Sequence, residues 1–179
     1  MKVLFLLLMN YLLSARRFIA ATSSTVKMST KVSRTAKSGV VWYKNNNLRI
    51  TDHDPLLTAH KECDFCNHVY VIDPREYRTT ELGTLKTSFL RYEFLCEGLS
   101  DLRDSLLARG SNLDIIVGRP EECIPQYIKS MASGVNGDKG KVTLYCHDEI
   151  AHEECSVLDA VRSVGITKEA GKDEVLYDT

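Results

Sequence analysis

Between Phe89 and Ile128 the chain reads FLRYEFLCEGLSDLRDSLLARGSNLDIIVGRPEECIPQYI, and no other stretch restricts the available folds as much. Leu95, Leu99, Leu102 and Leu106 recur at the spacing of one helix face, which predicts an amphipathic helix. Gly110 follows as the residue type that ends a helix in the left-handed conformation. Leu113, Ile115 and Val117 then make a short buried strand that breaks at Gly118. Pro120 and the carboxylates of Glu121 and Glu122 suit the first turn of a second helix: the ring presets φ, and the acids face the exposed amides. Helix–strand–helix units build parallel sheets, and parallel sheets carry ligand sites at the carboxyl ends of their strands.

The rest of the chain extends this pattern. Val40 to Tyr43 and Val69 to Ile72 are expected strands, with a short helix from Pro55 to His60 between them, capped by Asp54. Asp73-Pro74-Arg75 stops the second strand, and Glu76 to Thr87 is a polar loop above the sheet, a place where function concentrates. Ser133 to Lys141 reads as a surface insertion, Val142 to Cys146 as a fourth strand, and Val157 to Val164 as a last helix. From Ile166 to Thr179 the sequence is charged and aperiodic, and reads as a tail or truncated linker. The 179 residues, with 44% hydrophobic and 26% charged side chains, support one moderate domain plus tails.

The net charge of -1 hides an asymmetry. No acid precedes Asp52, whereas Lys2, Arg16, Arg17, Lys27, Lys31, Arg34 and Lys37 crowd the beginning. Residues 1–38 are read as a targeting leader. The apolar run Val3 to Leu13, too short to span a bilayer comfortably, suits a secretory-type signal; the basic, hydroxyl-rich continuation suits an organelle transit peptide. An unprocessed extension is the plain alternative. The chloroplast or the mitochondrion is the expected destination, with no membrane span in the mature chain.

No glycine-rich phosphate loop of either common type is present, which argues against a P-loop enzyme. Gly118-Arg119-Pro120 could hold an anion at a helix start, but the proline removes one of the amides such a site uses. Cys63-x-x-Cys66, and Cys146-His147 with His152-x-x-Cys155, have spacings that can serve zinc only if the two half-sites converge, and no metal site is assigned. The six cysteines are read mostly as packed thiols rather than a disulfide scaffold. The acidic run Asp148, Glu149, Glu153 and Glu154 lies just past the last parallel strand, where a carboxylate could pair with the amino group and ring N–H of a heterocycle. Its plainer reading is the solvated first turn of the following helix.

In order along the chain, these segments resemble the DNA photolyase/cryptochrome family. Val40-Val41-Trp42-Tyr43-Lys44-Asn45-Asn46-Asn47-Leu48-Arg49 with Asp52-His53-Asp54-Pro55-Leu56 is similar to that family's W-F-R-N-D-L-R and D-N-x-A-L opening. Val69 to Arg75 resembles its second strand with a D-P-R ending, and Phe89 to Glu122 its F-L-x-x-x-L-x-D-L-R…G-x-x-L…G-x-P-E stretch. His147-Asp148-Glu149 with Glu153-Glu154 looks like the H-x-E…E-E segment of DASH cryptochromes in particular.

The resemblance covers about Gly39 to Gly165 and implies a Rossmann-like three-layer α/β domain on a five-stranded parallel sheet. In many members this domain helps to hold an antenna pterin, methenyltetrahydrofolate, which passes excitation to a flavin. Glu149 is the first candidate to grip the pterin, with Glu153 second and Asp148 in the same segment; Thr79 and Thr80 are candidates for the pocket wall. FAD and damaged DNA would bind only through the family's helical domain, which this sequence does not contain, so no catalytic residue is assigned. The other class of reading is a non-enzymatic module that keeps the fold and binds a protein partner or a nucleotide. Lys44 stands where the family usually has Arg, Asn47 where Asp is expected with one residue inserted, and P-K-T-G survives only as Leu85-Lys86-Thr87-Ser88. The first change removes a planar fork from the site.

Overall fold

A computed structural model describes residues 37–134, 142–164, 166–168 and 174–177. The expected leader, apart from its last two residues, and most of the Ser133 to Lys141 insertion lie outside them. Four strands run parallel: β1 (Ser38–Tyr43), β2 (Phe65–Ile72), β3 (Leu113–Val117) and β4 (Val142–Tyr145). Two short strands, β5 (Ile166–Lys168) and β6 (Glu174–Tyr177), pair antiparallel and extend the sheet to the order β3-β2-β1-β4-β6-β5. The expected five-stranded parallel sheet is thus corrected to four parallel strands with an antiparallel pair at one edge. Those added strands occupy part of the segment read as a charged tail. At three and four residues they are too short to carry a periodic signal.

Both faces of the sheet are covered. Against one face pack α3 (Pro120–Gly134), through Ile124 and Ile128, and α4 (His152–Ser163), through Leu158 and Val161; they meet Val40, Trp42, Val69, Val71, Val142 and Leu144. Against the other pack α1 (Asp54–Glu62), through Leu56 and Ala59, and α2 (Phe89–Leu107), through Leu95, Leu99, Leu102 and Leu106; they meet Val41, Tyr43, Tyr70 and Ile72. This two-sided cover explains why Val40 to Tyr43 of β1 reads as an unbroken apolar run instead of alternating.

Local chemistry sets the element ends. Ser88 caps α2, its hydroxyl accepting the Arg91 N–H, and Gly110 takes φ 77° just after the helix. The cap of α1 differs from expectation: His53 Nδ1 accepts the Leu56 N–H at 3.1 Å, while Asp54 is already inside the first turn. Asp73 caps a 3-10 turn over Pro74–Tyr77 by accepting the Arg75 N–H at 2.8 Å. The last helix starts earlier than its apolar period, so that Glu153 and Glu154 form its acidic first turn.

At the β3–α3 junction, Gly118 lies so close to the helix that a Cβ there would meet Cys123 Sγ at 2.5 Å. Gly118 also takes φ 158°, which L side chains rarely adopt, so Gly118→Ala is expected to cost about 1 to 3 kcal/mol in urea unfolding, and Cys123→Ala in the same chain should recover only the part that comes from the clash. An undiminished loss in the double variant would assign the whole cost to the backbone conformation.

Candidate functional site

The connections β1→β2→β3 run to one side of β1, and the next strand, β4, lies on its other side. Loops that leave β1 and β4 therefore diverge at their carboxyl ends and open a crevice, which is where open α/β sheets bind ligands. A cleft of about 380 Å³ lies there, within the size range of ligand sites. Its floor and walls include Trp42, Tyr43, Tyr70 and Tyr77; Lys44, Asn45, Asn46 and Arg91 contribute nitrogen groups, and Asp73, Glu76, Glu149, Glu153 and Glu154 contribute carboxylates.

Glu149 is the most buried acid in the cleft. Its side chain is only 8% exposed; Oε1 lies 3.3 Å from Lys44 Nζ, and Oε2 accepts from Asn46 Nδ2 at 3.1 Å. Lys44 Nζ also donates to the His147 carbonyl at 2.7 Å and sits 5.0 Å from the centre of the Trp42 ring. One ammonium thus joins the loop after β1 to the loop after β4. Asn47, in the position where Asp is expected, holds the first loop together despite the inserted residue. Its side chain is buried, Oδ1 accepts the Lys44 N–H at 2.7 Å, and its own N–H reaches the Lys44 carbonyl at 3.2 Å.

Of the other expected site residues, only Glu153 lines the cleft. It is 72% exposed and pairs at 2.5 Å with Lys86, which also holds Glu76 at 3.0 Å; hydrogen bonding from that ammonium keeps the Glu153 carboxyl below its usual range. Asp148 turns outward to Arg162 at 2.6 Å and does not line the cleft. Neither Thr79 nor Thr80 lines it. Thr79 bridges to Leu85, and Thr80 meets Thr84 through both hydroxyl and backbone, so the two threonines close the long loop on itself.

Several cleft residues lie outside the set chosen from sequence. Tyr70 and Trp42 sit near strand ends inside runs that read as core, and their position beside the crevice appears only when β1 and β4 are known to be neighbours. Tyr70 donates to Asn45 Oδ1, and burial raises the Tyr70 and Tyr77 hydroxyls, Tyr77 to about 12, so both stay protonated at neutral pH. Asp73 and Glu76 flank Arg75, whose guanidinium spans Asp73 at 2.6 Å and Glu121 at 2.9 Å and so ties the end of β2 to the start of α3. Lys44 carried a signal, as a departure from the family pattern. Among the described residues no group of three or more His, Cys, Asp or Glu side chains is placed to hold a metal, and the two cysteine-containing half-sites stay apart.

A doubly wound sheet with an aromatic, acid-lined crevice at its switch point defines a Rossmann-like α/β domain. The family model described as DNA photolyase matches residues 39–178, and the chain belongs to that family. It is 38% identical over 142 residues to "Cryptochrome DASH, chloroplastic/mitochondrial" of Arabidopsis thaliana, covering 79% of this chain and 22% of that one. Over 138 residues it is 36% identical to "Blue-light photoreceptor PHR2" of the same plant, covering 77% of this chain and 28% of the relative. Among solved structures, the cryptochrome of Synechocystis sp. PCC6803 aligns with TM-score 0.63 at 30% identity, over 74% of this chain and 26% of its own. The chain therefore spans about a quarter of the length of the relatives it matches. Among the described residues no helix is long and apolar enough to cross a membrane.

Proposed function

We propose that this chain is the antenna domain of a DASH-type cryptochrome or photolyase, and that the switch-point cleft takes a pterin such as methenyltetrahydrofolate. The observation that carries this reading is the nearly buried Glu149 carboxylate, held by Lys44 and Asn46 beside aromatic walls. Each carboxylate oxygen has a further lone pair for the paired N–H donors of an aminopyrimidinone edge. The donor set fits: aromatic faces suit the flat ring, acids suit its amino edge, and Arg91 suits the acidic tail of a folate. When bound, the pterin absorbs near-ultraviolet or blue light and passes excitation to a flavin. Glu149 orients the ring, Lys44 fixes Glu149, and Trp42 and the Tyr70–Asn45 pair shape the walls.

Repair of pyrimidine dimers or blue-light signalling belongs, on this reading, to a helical FAD domain beyond the present sequence. The chloroplastic/mitochondrial names of plant DASH relatives support an organellar site of action. In the direct test, the purified chain is titrated with methenyltetrahydrofolate and, separately, with FAD. Stoichiometric pterin binding with no bound flavin and no dimer repair is expected. Stoichiometric FAD binding would overturn it, as would a folded chain that ignores the pterin.

The exposed apolar side chains Leu90 and Phe94 on α2, at 74% and 76%, favour the second reading, a module that binds a protein partner. A folded chain that binds neither pterin nor nucleotide would support that alternative.

A further inference from the structure

The C-x-x-C motif lies at the opposite, amino-terminal end of the sheet from the pterin cleft, and the proposed antenna role does not use it. Cys63 caps the end of α1 in extended conformation, and Cys66 is the second residue of β2. Cys66 pairs in parallel register with Gly39 of β1, so the two residues face the same side of the sheet. A Cβ on Gly39 would meet Cys63 Sγ at 2.9 Å, which places that sulfur on the same side, directly beside the Cys66 position. Both cysteines are part-buried and pack on the same core cluster.

The turn between them is pinned. The N–H groups of Asp64 and Phe65 both donate to the Lys37 carbonyl, at 2.9 and 3.3 Å, and the Asp64 carboxylate accepts the Lys37 N–H at 2.9 Å. The Tyr145 hydroxyl donates to Glu62 Oε2 at 3.4 Å and lies 3.4 Å from Cys63 Sγ, where its oxygen can accept the thiol proton. We propose that Cys63 and Cys66 are a redox-active pair that closes to an intramolecular disulfide by exchange with a low-molecular-weight disulfide of the glutathione type.

The exchange is balanced in two steps. The Cys63 thiolate attacks one sulfur of the oxidant, breaks its S–S bond and releases one small thiol. Cys66 then attacks the Cys63 sulfur of the mixed disulfide, its proton passing to the second departing thiolate. Two electrons and two protons leave the protein, one disulfide is reduced to two thiols, and one disulfide forms. Burial, reinforced by the neighbouring Cys63, pushes the Cys66 thiol up to about 12, which makes Cys66 the poorer first nucleophile and suits it to the resolving step. The pinned turn means that little order remains to be imposed when the bond closes.

The test equilibrates the full chain in mixtures of reduced and oxidised glutathione, traps thiols with N-ethylmaleimide and reads intact mass and peptide map. The reduced chain should carry six adducts and the oxidised chain two fewer, with Cys63 joined to Cys66. Folded protein should reach half-oxidation at an oxidant ratio about tenfold lower than the same chain in guanidinium, because the fold holds the thiols together. Cys63→Ser and Cys66→Ser should each abolish the loss of two adducts; where a variant does not fold, the peptide map of the wild type decides. Six adducts throughout, a stable mixed disulfide, a different cysteine pair, or a fold that raises the required oxidant ratio would each overturn the proposal.

Discussion

Acidification from pH 7 to pH 4 should unfold this domain, with most of the loss between pH 6.5 and 4. His53 and His68 are fully or almost fully buried. Burial first, then the neighbouring His147 for one and His60 and His53 for the other, lowers both imidazoles to about 4. In the unfolded chain both titrate near the ordinary value of about 6.5. Between those values the unfolded state binds more protons, so stability falls as pH falls; above 6.5 neither histidine costs anything, and below 4 the loss is complete. At about 1.4 kcal/mol per tenfold change in proton affinity, each histidine removes about 3 kcal/mol. Together they remove about 6, comparable to the whole stability of an ordinary domain. Asp54 beside His53 and Asp114 beside His68 favour the protonated forms but do not offset burial.

His68 offers a clean control. Neither of its ring nitrogens has a hydrogen-bond partner among the described residues, so His68→Leu forfeits no bond at pH 7. The variant should be at least as stable there, and the pH dependence of its unfolding free energy between 6.5 and 4 should halve. Urea titrations at several pH values measure both. An unchanged acid response in the variant would assign the effect to other groups. His53 is the poorer target, since its Nδ1 caps α1.

Glu149→Ala should weaken binding of methenyltetrahydrofolate at least 100-fold, read by fluorescence titration. Hydrogen bonds to an ionised group contribute about 1.5 to 3 kcal/mol each, and two lost together, at about 1.4 kcal/mol per tenfold, exceed that factor. The same substitution leaves Lys44 with only the His147 carbonyl as its hydrogen-bond acceptor in this corner, and a modest drop in melting temperature should accompany it. Glu149→Gln separates the two effects. It keeps the shape and one acceptor, should lose about tenfold in affinity, and should melt close to the wild type. Equal pterin affinity in wild type and Glu149→Ala would remove Glu149 from the site.

The segment Phe89 to Glu122 was legible in detail because every signal in it is local: leucines on one helix face, a left-handed glycine, a proline at the next start. The cap of α1 was misread because Asp54 has the commoner capping chemistry, whereas His53 supplies a buried ring nitrogen that no local pattern announces. The antiparallel edge pair was missed because β5 and β6 are too short to show a period and are defined by pairing with β4. Glu149 and Glu153, which line the cleft, were singled out by the family resemblance within an acidic run just past a strand end. Trp42 and Tyr70 were not, because they look like core until their neighbours across the sheet are known. Asp148 and the two threonines were drawn from the right segments, but their side chains are engaged elsewhere, a matter of local rotation that spacing does not encode.

The Lys44–Glu149 tie also bears on selectivity. A bare carboxylate in a half-closed crevice would draw any cation, whereas one already balanced by an ammonium offers acceptor lone pairs with little surplus charge. The corner of the cleft around Glu149 therefore sorts ligands by the geometry of their N–H donors more than by their charge. On the antenna reading it would favour flat rings with paired N–H donors over polyamines or metal ions, and exchanging Lys44 for a neutral residue would turn a shape filter into a charge trap.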